Sequence, residues 1–397
     1  MNHPPVVLNP YAVTISLPAG FTSHVTNVGI KDDTKDLTVV LGEPGTTSAG
    51  VFTKSLFAGP SVLVSRENNN GNVRAVVVIS KNANVANGPV GLEHAREVTR
   101  GVARRLGVDA GQVFVASTGV IGRVYPIDRI RAGIEAMPAV LPSTDAEEVA
   151  QGIMTTDTVH KVSECRVEGS LARVVGVAKG VGMIEPDMAT LIAMVFTDAR
   201  IDAGTLDSVF RSVIDRTLNC VSVDTDTSTS DTAVILASGS AGDVDLASFE
   251  EALATVLLDL TKQIARDGEG AETLIEVRVD GARDTEQART VAKSIVNSPL
   301  VKTAVHGADP NWGRVAMAIG KCSQYTDIDQ DNVCIRFGTQ EVYPVQVDES
   351  GLQQLSGYMR GDDVLIHVTL NTGDASATVW GCDLTDGYVR INADYTT

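Results

Sequence analysis

The chain has 397 residues and is acidic, with a formal net charge of -18, 43% hydrophobic residues and 21% charged residues. This composition predicts an ordinary globular protein with a large apolar core and excludes a disordered chain. The negative charge, only 4% aromatic residues and the lack of a basic stretch argue against nucleic acid and anionic membranes as partners. Neither a signal peptide nor a membrane-spanning apolar run is recognisable, so the sequence predicts a cytoplasmic protein.

The first half of the chain alternates between strand and helix patterns. A strand is predicted over 72–79, an amphipathic helix over 92–106 and a second strand over 113–116. The second strand leads into a turn of small residues, 117–122, which leaves backbone N–H groups and a hydroxyl exposed. Such donors suit an oxyanion, although most turns of this composition only connect elements.

The second half has the same mixed character. A short apolar run, 191–197, is rich in strand formers and predicts a buried strand. No linker or internal repeat separates the halves, and strands and helices do not alternate strictly, which favours a layered α/β or α+β sandwich. Further helices are predicted over 206–218, 250–266 and 286–296, and further strands over 333–337, 364–370, 376–380 and 388–392.

The stretch 179–190 carries the most chemical information. A backbone cut between Ala189 and Thr190 would give the threonine a free amine, which can serve as the base for its own hydroxyl. Glycines at 180 and 182 and a proline at 186 suit a strained peptide poised for an N-to-O acyl shift. The alternative is a plain glycine-rich loop that enters a core strand. The glycine spacing does not fit a dinucleotide site.

Two other segments contain clustered oxygen ligands. The run 224–231 begins with the spacing of a calcium loop, but Thr229 stands where that loop needs glycine and Ile235 where it needs glutamate. A hydroxyl-rich turn between strands fits better. In 267–271, Glu269 lies between two glycines and can project into a cleft, although a helix cap also explains the glycines. The polar stretch 299–314 is predicted to be an elaborate loop that builds a site or caps the surface.

Cysteines and histidines give no metal or disulfide signal. No two of the six histidines lie at ligand spacing, so no metal centre is expected. The cysteines are odd in number and widely spaced, which predicts buried thiols instead of a disulfide framework or a zinc site. They are Cys165, Cys220, Cys322, Cys334 and Cys382.

Along almost its whole length the sequence resembles the ornithine acetyltransferase family, also called glutamate N-acetyltransferase. Nine landmarks in the family order carry the resemblance. They are Phe52-Thr53-Lys54, Asn82-Ala83-Asn84, Ser117-Thr118-Gly119-Val120-Ile121-Gly122, Met154-Thr155-Thr156-Asp157-Thr158, Lys179-Gly180-Val181-Gly182-Met183, Met188-Ala189-Thr190, Asp267-Gly268-Glu269-Gly270-Ala271, Asp309-Pro310-Asn311-Trp312-Gly313-Arg314 and Asn392-Ala393-Asp394-Tyr395-Thr396-Thr397.

The resemblance implies self-cleavage before Thr190 into an alpha chain, 1–189, and a beta chain, 190–397, with two copies of each in a heterotetramer. It also implies a sandwich fold similar to N-terminal-nucleophile hydrolases, with no metal and no organic cofactor. The implied reaction is ping-pong: Thr190 takes acetyl from N2-acetylornithine, releases ornithine and passes the acetyl group to glutamate.

The resemblance further assigns roles to individual residues. The oxyanion hole falls on Thr118 and Gly119, where the exposed donors were predicted. Lys179 with a C-terminal amide and hydroxyl can hold an α-carboxylate, and Glu269 can meet the ornithine ammonium. The implied substrate contacts are Thr155 or Thr156, Lys179, Thr190, Glu269, Asn392 and Thr397.

Two departures from the usual family pattern stand out. Glu185-Pro186-Asp187 replaces His-Pro-Asn, and Lys81 replaces the glycine of Gly-Asn-Ala-Asn. Both make the chain look closer to the form associated with clavulanic acid biosynthesis, and the added carboxylates can change the preferred acyl acceptor.

Other functions are compatible with the same residues. No phosphate-cradling loop for acetyl-CoA is recognisable, which favours a monofunctional transferase. An amidase or aminopeptidase would hand the acyl group to water instead. A third reading is an uncut, non-catalytic binding protein.

Overall fold

The computed structural model of the protein describes residues 14–185 and 191–394. The predicted cleavage pair Ala189 and Thr190, the adjacent Asp187 and the predicted contact Thr397 lie outside the described residues. The described residues form stacked layers of sheets and helices, so the predicted layered α/β sandwich is confirmed.

Strands and helices are mixed along the whole chain. The strands are β1 Phe21–Thr26, β2 Leu37–Gly42, β3 Thr47–Phe52, β4 Ala75–Ile79, β5 Val113–Ser117, β6 Lys161–Arg166, β7 Arg173–Lys179, β8 Ile192–Arg200, β9 Val221–Ser222, β10 Thr232–Asp243, β11 Leu274–Ala282, β12 Cys334–Phe337, β13 Gln340–Tyr343, β14 Asp363–Thr369 and β15 Ala375–Cys382. The helices are α1 Pro60–Asn68, α2 Gly88–Leu106, α3 Ile127–Ala136, α4 Ala146–Ile153, α5 Ala203–Asp215, α6 Leu246–Arg266, α7 Thr285–Val296, α8 Pro299–His306, α9 Trp312–Gly320, α10 Glu349–Met359 and α11 Asp386–Asp394.

The strands form three sheets. The first has the order β1-β2-β4-β5 and the second β3-β10-β8-β7-β6. The third has the order β13-β12-β14-β11-β15-β9. Within the second sheet β8 pairs in parallel with β10 and antiparallel with β7, so the strand that follows Thr190 lies at the centre of this sheet.

The first two sheets pack face to face and bury a shared apolar core. Phe114 of the first sheet and Phe196 and Leu236 of the second sheet belong to this core. Central strands buried on both faces read as continuous apolar runs. This is why the runs over 75–79 and 192–197 are recognisable in the sequence.

Helices cover the outer face of the first sheet and fill the space between the second and third sheets. Helices α2 and α3 pack on the outer face of the first sheet through residues such as Val98 and Ile134. Helices α5, α6 and α7 share one core with the other face of the second sheet and with the third sheet, through residues such as Phe210, Leu257 and Val291. The layer order is therefore helix, sheet, sheet, helix, sheet.

Most predicted helices and strands are found near their predicted bounds. The prediction of a strand over 388–392 is wrong. These residues lie in α11, with Val389 63% exposed and Ile391 42% exposed. Strand formers alone do not make a strand where no sheet partner is available. The ion pair from Arg390 to Asp386, one helical turn away, supports the helix instead.

The prediction of a loop over 299–314 is also wrong, except for the connection 307–311. Ser298 caps α8 by accepting a hydrogen bond from the Val301 N–H, and Pro299 occupies the first helical turn. Both are normal helix-start signals. Asn311 caps α9 in the same way through the Arg314 N–H. The stretch is thus two short helices joined by a tight connection.

The prediction of buried cysteine thiols is confirmed for four of the five cysteines. All five cysteines are free, and four of them are buried while Cys165 is half-buried. None of the described helices combines the length and apolar character that a membrane crossing requires.

Candidate active site

Seven of the residues that the family resemblance assigned to the site line one cavity of about 200 Å3. Leu191 and Ile192, which directly follow Thr190 in the sequence, line the same cavity. Residues far apart in the sequence therefore converge beside Leu191 and Ile192. The seven residues are Thr118, Gly119, Thr155, Thr156, Lys179, Glu269 and Asn392.

The turn after β5 forms one wall of the cavity. Gly119 has a φ of 129°, and a Cβ built on it would lie 2.2 Å from the carbonyl carbon of Lys81. Only glycine fits this close approach of two backbones. The neighbouring Thr118 is buried, and its backbone N–H donates to the Ile79 carbonyl over 3.0 Å. The turn is thus fixed with the Thr118 hydroxyl at the cavity.

Lys179, the last residue of β7, supplies the positive charge of the cavity. Its Nζ donates to Thr118 Oγ1 over 3.2 Å and lies 4.0 Å from Asp157 Oδ2. Burial lowers the pKa of Lys179, and the nearby Asp157 carboxylate partly offsets that effect. An ammonium in this position can hold a substrate carboxylate.

Asp157 organises the same wall, although it was not among the predicted site residues. Its carboxylate accepts hydrogen bonds from the backbone N–H of Thr155 at 3.0 Å and of Gly180 at 2.7 Å. Burial alone would raise the pKa of Asp157, but the charges of Lys179 and Lys161 and these hydrogen bonds outweigh it and lower the pKa to about 2. Asp157 therefore stays ionised and fixes the segments that carry Thr155 and Lys179.

Lys161 connects this wall to the loop that carries Glu269. The Lys161 side chain is fully buried, and its Nζ lies 2.9 Å from Asp157 Oδ1 and 2.5 Å from Asp267 Oδ2. Asp267, at the end of α6, also accepts hydrogen bonds from the backbone and hydroxyl of Thr158. One buried ammonium thus joins two carboxylates from segments that are distant in the sequence.

Hydrogen bonds hold both the backbone and the side chain of Glu269. Its backbone N–H donates to the Val181 carbonyl over 2.9 Å, and its Oε2 accepts from Asn392 Nδ2 over 2.8 Å. A Cβ on Gly182 would lie 2.6 Å from the Glu269 carboxylate, so glycine leaves the space that this side chain uses. A Cβ on Gly270 would meet the Tyr388 nitrogen at 2.4 Å, which shows how closely α11 approaches the loop.

The hydroxyl-rich turn between β9 and β10 has a structural role that the sequence did not specify. Asp224 accepts hydrogen bonds from the backbone N–H of Met183 and of Ile184, each at 2.7 Å. The Glu185 N–H donates to the Asp226 carbonyl over 2.9 Å. The turn therefore holds the chain immediately before the predicted cleavage junction.

The end of this turn also enters the cavity, where Ser228, Thr229, Ser230 and Asp231 line it. Asp231 is 1% exposed, and its Oδ2 accepts no hydrogen bond from the described residues. Burial raises the pKa of Asp231 well above its ordinary value. Asp231 was not among the predicted site residues, because an Asp in a polar turn gives no sign that it will be buried.

Glu185, one of the two departures from the family pattern, is directed away from the described part of the cavity lining. Its Oε2 accepts from Asn297 Nδ2 over 2.6 Å and from the Ser222 hydroxyl over 3.3 Å, and Lys293 Nζ lies 3.7 Å from Oε1. Glu185 thus packs against α7.

The cavity has the groups needed to bind an amino-acid derivative. An ammonium, hydroxyl groups and a carboxylate line the same cavity, and these groups match the opposite charges of an amino acid. Its volume lies below the range of about 300–1,000 Å3 that is usual for ligand sites, which suits a small metabolite. Outside the cavity, Glu272, His306 and Asp383 form the cluster of potential metal ligands among the described residues.

The model of the ArgJ family matches residues 22–397. The chain belongs to the ArgJ family. Arginine biosynthesis bifunctional protein ArgJ 2 of Nostoc sp. is 55% identical to this ArgJ-family chain over 96% of it and 98% of the relative. Glutamate N-acetyltransferase Oat2 of Streptomyces clavuligerus is also 55% identical, over 97% of the chain and 99% of the relative. A crystal structure is known for one similar protein, arginine biosynthesis bifunctional protein argJ of Bacillus halodurans. Its sequence is 43% identical, and the match covers 50% of this chain and 96% of that chain with a TM-score of 0.47.

Proposed function

We propose that this ArgJ-family chain is a self-processing ornithine acetyltransferase that moves acetyl from N2-acetylornithine to glutamate through an acetyl-Thr190 intermediate. The observation that carries the proposal is the convergence of seven assigned residues on one cavity beside Leu191 and Ile192. The names of relatives that are 55% identical, a bifunctional arginine-biosynthesis protein and a glutamate N-acetyltransferase, support the same reaction.

In the proposed first half-reaction the amine of Thr190 removes the hydroxyl proton while Oγ1 attacks the acetyl carbonyl. The Thr118 hydroxyl and the Gly119 N–H stabilise the resulting oxyanion. The proton then passes to the leaving nitrogen, and ornithine departs. Lys179 and Glu269 hold the charged ends of ornithine, assisted by Thr155 or Thr156, Asn392 and Thr397.

In the second half-reaction the amine of glutamate attacks the acetyl-Thr190 ester and loses a proton to the Thr190 amine. The C–O bond of the ester breaks, and Oγ1 recovers its proton. N-acetylglutamate leaves and the enzyme is restored. No cofactor enters this scheme, because acetyl, proton and leaving group are all accounted for by the substrates and Thr190.

The proposal includes the two-chain organisation. Self-cleavage would give an alpha chain, 1–189, and a beta chain, 190–397, that stay associated as a heterotetramer with two copies of each. A cytoplasmic location fits the arginine-biosynthesis names of the relatives. Specialised metabolism, such as clavulanic acid biosynthesis, is supported here only by the departures in sequence and by the Streptomyces clavuligerus relative.

The deciding experiment incubates the purified protein with N2-acetylornithine alone and maps the added mass. We expect one acetyl group on the peptide that begins at Thr190, followed by N-acetylglutamate when glutamate is supplied. A parallel incubation with acetyl-CoA shows whether this second donor also acetylates Thr190. Release of acetate without N-acetylglutamate would favour an amidase, and tight binding to an uncut chain without turnover would favour a binding protein. Either of these results would contradict the transferase proposal.

We predict that Asp224→Asn slows self-cleavage by roughly tenfold or more. Asp224 holds the Met183 and Ile184 N–H groups that lead to the junction, and a charged acceptor bonds backbone N–H groups more strongly than an amide oxygen does. The measurement is the rate at which two bands replace one on a denaturing gel after synthesis of the chain.

The matched control is Asp226→Asn in the same turn. Asp226 contributes its backbone carbonyl to Glu185, which the substitution keeps, and its side chain is exposed. Cleavage at the wild-type rate is expected there. Equal rates in both variants would contradict the role of Asp224.

A further inference from the structure

We propose that Glu272, His306 and Asp383 bind a divalent transition-metal ion of the zinc class, at a site separate from the catalytic cavity. The three residues come from the loop before β11, the end of α8 and the segment after β15. None of them lines the cavity that holds Lys179 and Glu269. The proposal therefore does not depend on the proposed function.

The potential ligand atoms stand at distances suited to one ion. His306 Nδ1 lies 3.2 Å from Asp383 Oδ2 and 3.6 Å from Glu272 Oε2. All three ligand atoms lie within 4.8 Å of one another. Metal–ligand bonds of about 2.1 Å at tetrahedral angles place neighbouring ligand atoms about 3.4 Å apart. The two separations from His306 Nδ1, 3.2 Å and 3.6 Å, lie on both sides of this value.

A buried oxygen without a hydrogen-bond donor gives the second, independent indication. Asp383 is 3% exposed, and its Oδ2 accepts no hydrogen bond from the described residues. His306 Nδ1 lies 3.2 Å from that oxygen, but the two atoms do not form a hydrogen bond. His306 Nδ1 and Asp383 Oδ2 can instead both bind a metal ion placed between them. A buried carboxylate oxygen needs such a partner.

The other oxygen of Asp383 is already engaged, which fixes the carboxylate. Oδ1 accepts the backbone N–H groups of Glu272 at 2.9 Å and of Thr273 at 3.0 Å. Hydrogen bonds of this kind orient metal ligands. Lys302, one helical turn before His306, donates from Nζ to the Cys382 carbonyl and is thereby held by a backbone oxygen.

The ligand types select the class of ion. One imidazole nitrogen with two carboxylate oxygens matches zinc and its neighbours, whereas calcium and magnesium prefer oxygen ligands alone. The His306 side chain is 37% exposed and the Glu272 side chain 68% exposed, so solvent can reach the site and supply a fourth ligand. The ion would link three segments of the fold, so its binding should raise the melting temperature.

The test uses the full-length protein without an affinity tag, first stripped with a chelator. We expect Co²⁺ to give visible absorption bands of a nitrogen- and oxygen-ligated site that saturate at one ion per chain. Zn²⁺ should displace Co²⁺ and raise the melting temperature. His306→Ala should weaken Co²⁺ binding at least tenfold and remove the thermal shift, and Glu272→Gln should weaken binding by a smaller factor. Both side chains are partly exposed, so these variants are expected to fold.

His160→Ala is the matched control, because His160 is also exposed and lies 3.9 Å from a single carboxylate, that of Glu147. Its Co²⁺ affinity and thermal shift should equal those of the wild type. Two results would overturn the proposal: no saturable Co²⁺ binding to the wild type, or the same binding in His306→Ala. The first would leave only an ion pair between His306 and two carboxylates, and the second would place the ion elsewhere.

Discussion

Thr190→Ala is expected to yield a single uncut chain with no measurable acetyl transfer. The substitution removes the only oxygen that, in the proposed mechanism, both receives the acyl group during self-cleavage and carries acetyl during turnover. Because one atom serves both steps, the loss should exceed the roughly 100- to 1,000-fold effect of removing one oxyanion donor. Mass spectrometry under denaturing conditions measures the first effect, and N-acetylglutamate formation measures the second.

Thr190→Ser is the control for this prediction. Serine keeps the hydroxyl, and after cleavage it also has an adjacent amine, so processing and some transfer should remain. Wild-type activity in Thr190→Ala would exclude Thr190 as the nucleophile. Cleavage of Thr190→Ala before residue 190 would exclude the proposed route of self-processing.

The fold could be predicted where local pattern and burial agree. The apolar run 191–197 is the central strand β8, and the helix predicted over 92–106 is α2. The prediction over 388–392 is wrong, because a run of strand formers does not reveal whether a sheet edge is free to receive it. Here the segment lies on the surface as α11 and brings Asn392 to Glu269.

The residues that are proposed to contact substrate could be recognised in the sequence. The residues that hold them in place could not. Gly119 and Lys179 stand in recognisable motifs, and the cavity contains both. The bond between Lys161 and Asp267 joins positions 106 residues apart, which no local pattern reveals. The hydrogen bonds from the Met183 and Ile184 N–H groups to Asp224 and the burial of Asp231 likewise depend on tertiary packing.

The second large effect is expected from Lys161→Met, which should lower the free energy of unfolding by about 3–5 kcal/mol. The fully buried Lys161 ammonium is shared by Asp157 and Asp267. Methionine can fill much of the space, but it leaves two carboxylates, at most 5% exposed, without that cation. Denaturant unfolding should be measured in the uncut Thr190→Ala background and at one fixed protein concentration, because an uncut chain avoids the dissociation of the alpha chain from the beta chain.

The matched control is Lys262→Met in the same background. Lys262 pairs with Glu276 at 3.3 Å, and its side chain is 41% exposed. Exposed ion pairs contribute about 1 kcal/mol or less. If Lys161→Met lowers the free energy of unfolding no more than Lys262→Met does, the stabilising role of the buried network is contradicted.

The pH dependence of unfolding tests the same network through Asp157. Its pKa is lowered from 3.8 to about 2 in the folded protein. A lowered carboxyl pKa stabilises the folded state fully above the ordinary value, and this stabilisation is lost as the pH falls through the folded value. For Asp157 the loss is expected between pH about 4 and about 2 and amounts to roughly 2 kcal/mol. In Lys161→Met the Asp157 pKa should rise because one of the two lysine charges that lower it is gone. The stability that Asp157 loses on acidification should then be smaller, and the loss should be complete at a higher pH. An unchanged pH profile in the variant would show that Lys161 does not set the ionisation of Asp157.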